Sequence, residues 1–192
     1  GVGWKALEHA IRYSQQRKVG GNPLWTKQGF THKLLVPYVA RLEACRAYIE
    51  EIAKRLDGGE VGLQTEGAIS KLLTSETANK ACDNAIQAYG GNGYVRECPV
   101  EKLKRDVKIT CIYEGTTEIL ELTTFRQRWQ DNINSDGRYY DKLAEEMDAL
   151  HAKGPEVGAA GAAAAFRALS HVLKACYDQK LTGNQVAHLK LG

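Results

Sequence analysis

The chain has 192 residues, 43% of them hydrophobic, and a net charge of only +3. That length supports one sizeable core with a small appendage, and the charge is too weak to argue for nucleic acid or a membrane surface. No apolar run approaches the roughly 20 residues a membrane-spanning helix needs, so a soluble globular protein is expected.

Read in chain order, the pattern is helical almost throughout, and the expected fold class is an all-α, up-and-down helical bundle. Trp4, Leu7, Ile11 and Ser14 recur at steps of three and four and end near Arg17. The Val19-Gly20-Gly21-Asn22-Pro23 segment breaks that stripe. Tyr38, Leu42, Cys45, Ile49, Ile52 and Leu56 predict one continuous packing face on a second helix. Pro37 should either start that helix or kink it, and Asp57-Gly58-Gly59 should close it. A third helix is predicted over 65–89, burying Ile69, Leu72, Leu73, Ala78, Cys82, Ala85, Ile86 and Tyr89. Gly90-Gly91 stops it, and Pro99 then opens a short helix over 100–107, where its missing N–H costs nothing. Thr116 or Thr117 can cap the next long helix, with Glu118 in its first turn and Ile119, Leu122, Phe125 and Trp129 inside.

Residues 132–137 are polar and mark the best boundary, so the expected domains are 1–132 and a helical extension over 133–192. Tyr140, Leu143, Met147 and Leu150 give one amphipathic helix there; Phe166, Leu169, Leu173 and Cys176 give another. The alanine-rich run over 158–165 reads as the start of a closely packed helix, since alanine is a strong helix former. No strand-like alternation stands out.

Five cysteines, odd in number and without CxxC spacing, argue against a disulfide framework or a zinc site and for a reducing, cytoplasmic setting. The five histidines form no metal-binding spacing, so no metal is expected. The chain opens at Gly1 inside a helical pattern and without Met, as a fragment would.

One acid stands out. Glu114 lies between Tyr113 and Gly115 where a helix should begin. Removing a proton from the carbon beside a carbonyl needs a carboxylate whose pKa is raised, and apolar burial raises it. The flanking residues supply no cation. Such an acid also suits a helix N-terminus through the macrodipole, and from spacing alone that is the commoner role. The Gly90-Gly91 turn could admit a phosphate or ribose, but a helix stop needs it equally. Arg17 suits a helix C-terminus and could equally meet an anion. Glu97, Glu101, Lys102, Lys104, Arg105 and Asp106 read as a mutually paired surface.

The spacing of Gln87, Gly90, Gly91, Gly93, Tyr94, Pro99, Val100, Glu101, Arg105, Asp106, Lys108, Ile109, Ile112, Tyr113, Glu114, Gly115, Thr116 and Ile119 closely resembles the C-terminal signature of the acyl-CoA dehydrogenases. Arg17, Gly21 and Gln28 extend the resemblance, which runs from about Gly3 to Trp129. It implies an FAD-dependent oxidoreductase that desaturates acyl-CoA thioesters, with Glu114 as catalytic base and Tyr113 and Gly115 against the thioester. It further implies FAD contacts at Arg17, Gln28, Gln87, Gly90, Gly91, Thr116 and Glu118, part of them across a subunit interface. The partners implied are acyl-CoA, an electron-transfer flavoprotein as acceptor, and copies of the chain in a homodimer or homotetramer. The chain departs from the family at Gly20, usually aromatic, at Pro37, and at Glu118, often Gln. Residues past 132 resemble the extra tail of longer bacterial members. The N-terminal and middle domains of such an enzyme have no counterpart here, so the chain is expected to be its C-terminal domain, inactive alone. A non-catalytic helical interaction module of the same ancestry, or a flavin oxidase on the same fold, are the competing expectations.

Overall fold

The computed structural model describes residues 1–184 and divides into two compact units, residues 1–120 and the chain beyond. Both are helical, as the periodicity predicts.

The first unit is built on two helices, α1 (Val2–Gln16) and α4 (Gln64–Tyr89). Their seam is made of small side chains. Ala6, Leu7 and Ala10 of α1 and Ala81, Cys82, Ala85 and Ala88 of α4 are all buried, in one core with Leu35, Leu42, Val100 and Val107. A Cβ on Gly3 would come within 2.9 Å of the Ala78 Cα, so the helix axes approach as closely as glycine permits. α3 (Val36–Asp57) covers one side through Leu42, Cys45 and Ile52. α5 (Pro99–Lys108) caps another through Val100 and Val107, which lie two turns apart on one face. Pro99 occupies its first turn, and the preceding Cys98 is extended, as the residue before a proline must be.

Three local features depart from the sequence reading. The break after α1 is a minimal β-hairpin in which β1 (Lys18–Val19) pairs antiparallel with β2 (Asn22–Pro23). Gly20 and Gly21 have φ of +61° and +80°, the two positive values that a two-residue hairpin turn of matching twist requires. Pro37 lies in the first turn of α3, as a helix-starting proline should, but the segment before it is a π-turn over Thr31–Leu35 that joins the short α2 (Gln28–Phe30) to α3. In a helix's first turn the missing N–H of Pro37 costs little. Finally, Ile49, Leu56, Leu73 and Ile119 are exposed by 41 to 54% instead of buried. Their stripes are regular, but a helix face is wider than the neighbour packed against it.

The buried Cys82 thiol is pushed up to about 11 by burial, offset by Lys104 and reinforced by Asp83. Its folded value exceeds the ordinary thiol value of 9.0, so this contribution to stability is fully present below about pH 9 and lost as pH rises through 11. The native protein is expected to alkylate at the half-buried Cys98 and Cys176 well before Cys82. Site-resolved mass spectrometry after timed labelling tests this, and equal labelling of Cys82 and Cys98 at neutral pH would contradict it.

The second unit takes most of α6 (Thr117–Asn134), then α7 (Tyr139–Lys153) and α8 (Ala159–Asp178). Phe125, Tyr140 and Leu173 form its centre, with Trp129, Tyr139, Leu143, Phe166 and Leu169 packed around them. The alanine run does begin a packed helix: Gly158 opens α8 at φ +74°, and Ala159 and Ala163 are buried. Arg128 bridges to Asp131 at 3.0 Å and lies over the Tyr139 ring, tying α6 to the start of α7.

Candidate functional site

Glu114 sits on a short segment that leaves α5 through one tight turn over Ile109–Cys111 and enters α6 at Thr117. The Ile112 and Tyr113 amides both donate to the Ile109 carbonyl, at 2.9 and 3.1 Å. Glu114 then turns left-handed at φ +53°, followed by Gly115 at +92°. A left-handed non-glycine residue costs about 1–2 kcal/mol and persists only where surrounding contacts impose it. Here α4 imposes it. Lys71 Nζ donates to the Gly115 carbonyl at 2.6 Å, and the Thr117 hydroxyl donates to Glu76 Oε1 at 2.7 Å. Gly115 suits this turn through its φ of +92°, and a Cβ there would also press on the Leu120 side chain at 3.2 Å.

The cap predicted at Thr116 is present: its hydroxyl accepts the Ile119 amide at 3.4 Å. Glu118 behaves as a first-turn acid. Its own backbone N–H, the Thr116 hydroxyl and the Lys108 charge hold its carboxyl below the usual carboxylate range.

Glu114 and Tyr113 line a groove of about 380 Å³ whose walls include Trp4, Leu42, Ile49 and Lys71. The groove is largely apolar with one cation and one carboxylate. Two expectations are corrected here. Glu114 is exposed instead of buried, because nothing among the described residues covers the segment; Ile112 and Tyr113 are half exposed beside it. The segment also does meet a cation, Lys71, from 44 residues earlier in the chain. No local reading of the segment around Glu114 could have found Lys71.

Arg17, Gln87, Gly90 and Gly91 come together elsewhere, in a second groove of about 480 Å³. Arg17 ends α1 in extended conformation, and Gly90 stops α4 at φ +61° and ψ −140°, a region only glycine enters freely. Open space surrounds the positions where Gly90 and Gly91 would carry a Cβ. Tyr13 and Tyr89 supply an aromatic wall, stacked with centroids 4.2 Å apart, and the Tyr89 hydroxyl donates to the His9 carbonyl at 3.3 Å. Tyr13 lies one helical turn before Arg17, a spacing that could have identified it from sequence. Gln28 does not line this groove; it opens α2, whose Phe30 does. Its carbonyl is engaged by Thr31 Oγ1 at 3.2 Å.

These two grooves suit different ligands. The Arg17 groove offers a cation, an amide side chain and glycine backbone beside stacked rings, which fits an anionic group attached to a planar heterocycle. The Glu114 groove offers an apolar trough with a single acid, which fits an acyl chain carrying an exchangeable proton. Among the described residues no cluster of His, Cys, Asp or Glu could hold a metal ion, and no helix is long and apolar enough to cross a membrane.

Comparison with known proteins reaches the same region. Residues 1–128 match the family model described as acyl-CoA dehydrogenase, C-terminal domain. An acyl-CoA dehydrogenase of Bacillus subtilis is 41% identical over 122 residues, covering 64% of this chain and 32% of that protein. The solved butyryl-CoA dehydrogenase from Megasphaera elsdenii is 36% identical with a TM-score of 0.61, covering 64% of this chain and 32% of that one. The solved FAD complex of PigA is 26% identical with a TM-score of 0.61, covering 65% of this chain and 32% of that one. The chain therefore spans about a third of the length of the relatives it matches. These three matches reach 64 to 65% of the chain, and the family model stops at residue 128.

Proposed function

Given that the chain belongs to the acyl-CoA dehydrogenase family through its C-terminal domain, we propose that it is the base-bearing helical part of an enzyme that introduces a double bond beside the thioester of an acyl-CoA. The observation that carries this reading is Glu114. It is the carboxylate lining an apolar groove, held in a costly backbone conformation by contacts from α4. Strain kept in place by specific contacts is characteristic of sites where a side chain must point one way.

In this reading the α-carbon proton of the thioester is transferred to a Glu114 carboxylate oxygen as the Cα–H bond breaks. Tyr113 shields the reacting end of the groove, and Gly115 lets the backbone pass close to the thioester. The residues of the Arg17 groove fit the nucleotide end of FAD: Arg17 would hold a phosphate, and Gly90 and Gly91 would allow close backbone approach. Bound FAD supplies the acceptor for the hydride that leaves the β-carbon. Thr116 and Glu118 would face the flavin end, with Glu118 already stabilised in its charged form. An electron-transfer flavoprotein is the expected reoxidant, and a second copy of the enzyme the expected source of the FAD at the Arg17 groove.

A catalytic base works best shielded from water, and Glu114 is exposed in this chain. The same exposure favours a second reading, a helical interaction module that keeps the fold without the chemistry. The two separate experimentally. The 192-residue chain mixed with FAD and an acyl-CoA is expected neither to bind the flavin stoichiometrically nor to bleach it, whereas the full-length protein bleaches under anaerobic conditions. Bleaching by the isolated chain would refute its proposed dependence on the rest of the enzyme. A full-length protein that binds acyl-CoA and FAD yet never bleaches would support the interaction module.

A further inference from the structure

We propose that Lys71 is a positioning residue that sets the orientation of Glu114, an inference that rests on the reading of Glu114 as the base. The argument starts from the backbone. Two consecutive residues of positive φ, Glu114 at +53° and Gly115 at +92°, form the turn that carries Glu114 at the wall of the groove it lines. Only the second is glycine, so the first is strained and relaxes unless it is held.

Both holding contacts come from α4. Lys71 and Glu76 lie five residues apart on that helix, and they take the segment on either side of its turn. Lys71 Nζ holds the Gly115 carbonyl at 2.6 Å, and Glu76 Oε1 holds the Thr117 hydroxyl at 2.7 Å. Thr117 and Glu76 fix the start of α6, but a helix start can be fixed while the preceding turn flips. The carbonyl at 115 belongs to the turn itself, so a reversal of the Glu114–Gly115 turn would reorient that oxygen and break its bond to Lys71. The Lys71 bond is therefore the contact that discriminates between the two turn conformations. α4 is a firm anchor, since Thr65 before Lys71 and Leu72 and Ser75 after it are buried, with Ala81, Cys82 and Ala85 buried further along. Lys71 also lines the Glu114 groove itself, so its charge acts on the same space as the carboxylate. A misplacement of about 1 Å in a reacting group can cost 10²-fold in rate, which sets the scale of the expected effect.

The test uses the full-length, flavin-loaded enzyme and reads the single-turnover rate of flavin reduction by an acyl-CoA in four proteins: wild type, Lys71→Met, Glu114→Gln and the double variant. Lys71→Met is expected to slow reduction by about 10- to 100-fold. The dissociation constant for a non-reducible thioether acyl-CoA analogue should stay within about twofold, since only orientation is lost. In the Glu114→Gln background the same substitution is expected to slow the residual rate no further, because there is no base left to position. Hydrogen exchange at the amides of residues 113–116 should rise in Lys71→Met, a signal that does not depend on turnover. Lys71→Gln, which keeps an N–H donor, gives an intermediate rate and serves if the Met variant folds poorly. Equal slowing by Lys71→Met in both backgrounds would show a purely structural role and overturn the proposal, as would an unslowed Lys71→Met enzyme. A Glu114→Gln enzyme with full activity would instead remove the base assignment, and the positioning role with it.

Discussion

Glu114→Gln in the full-length enzyme is expected to lower turnover by about 10²- to 10⁴-fold while FAD stays bound, the range by which a positioned general base accelerates proton transfer. The substitution is nearly isosteric. It keeps the oxygen, the size and the left-handed backbone at 114, so Lys71 should still hold the Gly115 carbonyl. What it removes is the ability to accept a proton. Flavin binding is expected to survive because the residues that line the Arg17 groove, Arg17, Gln87, Gly90 and Gly91 among them, include none of those that line the groove of Tyr113 and Glu114. The useful measurement pairs the rate of flavin reduction with the flavin content of the purified variant. Loss of both would mean the side chain is structural. Loss of neither would favour the interaction-module reading, in which the exposed Glu114 has no proton to take.

Gly93→Ala is expected to be the most damaging single-methyl change in the first unit. A Cβ at this position would lie 2.9 Å from the Ile86 Cα and closer still to the Ile86 carbonyl oxygen. Both atoms are backbone near the end of α4, so no side-chain rotation relieves the clash. Either the turn at Gly90–Gly93 must lift away or the last turns of α4 must open, and Gly93 is itself buried. Overpacking of this kind costs about 1–3 kcal/mol or more, and the backbone identity of the neighbours places this case at the upper end. A loss of about 3 kcal/mol corresponds to a fall of about 10 °C or more in the unfolding midpoint. Gly91→Ala is the matched control. Open space surrounds its Cβ position, so its stability change should stay within about 0.5 kcal/mol. Thermal or denaturant unfolding of the two variants side by side decides the matter; equal midpoints would show that the turn is loose.

Much of this was legible before any coordinates. The helices follow from steps of three and four: α4 was expected over 65–89 and runs from Gln64 to Tyr89, and α5 was expected over 100–107 and runs from Pro99 to Lys108. The paired surface on α5 is present as Lys102 with Asp106 and Arg105 with Glu101, though Lys104 reaches Asp83 on α4 instead. The hairpin was missed because two-residue strands leave no alternation to read; its signal was Gly20-Gly21, which looked like a mere break. The π-turn was missed because Pro37 reports only where a helix can begin, and not how the chain before it is wound.

What this chain's sequence determined by itself is whatever depends on neighbours within a turn or two: helix spans, the Thr116 cap, the glycine stops, and the motif that places the chain in its family. Tertiary structure alone decided which residues share a groove. Arg17 joins Gly90 and Gln87, while Lys71 reaches across 44 residues to the carbonyl beside Glu114. It also decided which apolar faces stay exposed, Ile49 and Ile112 among them. The reason is that periodicity records which side of a helix is apolar, whereas burial and approach depend on how far apart two helix axes lie. Here that separation is set by Gly3 against Ala78 and by the alanines of α1 and α4, side chains too small to mark their own partners.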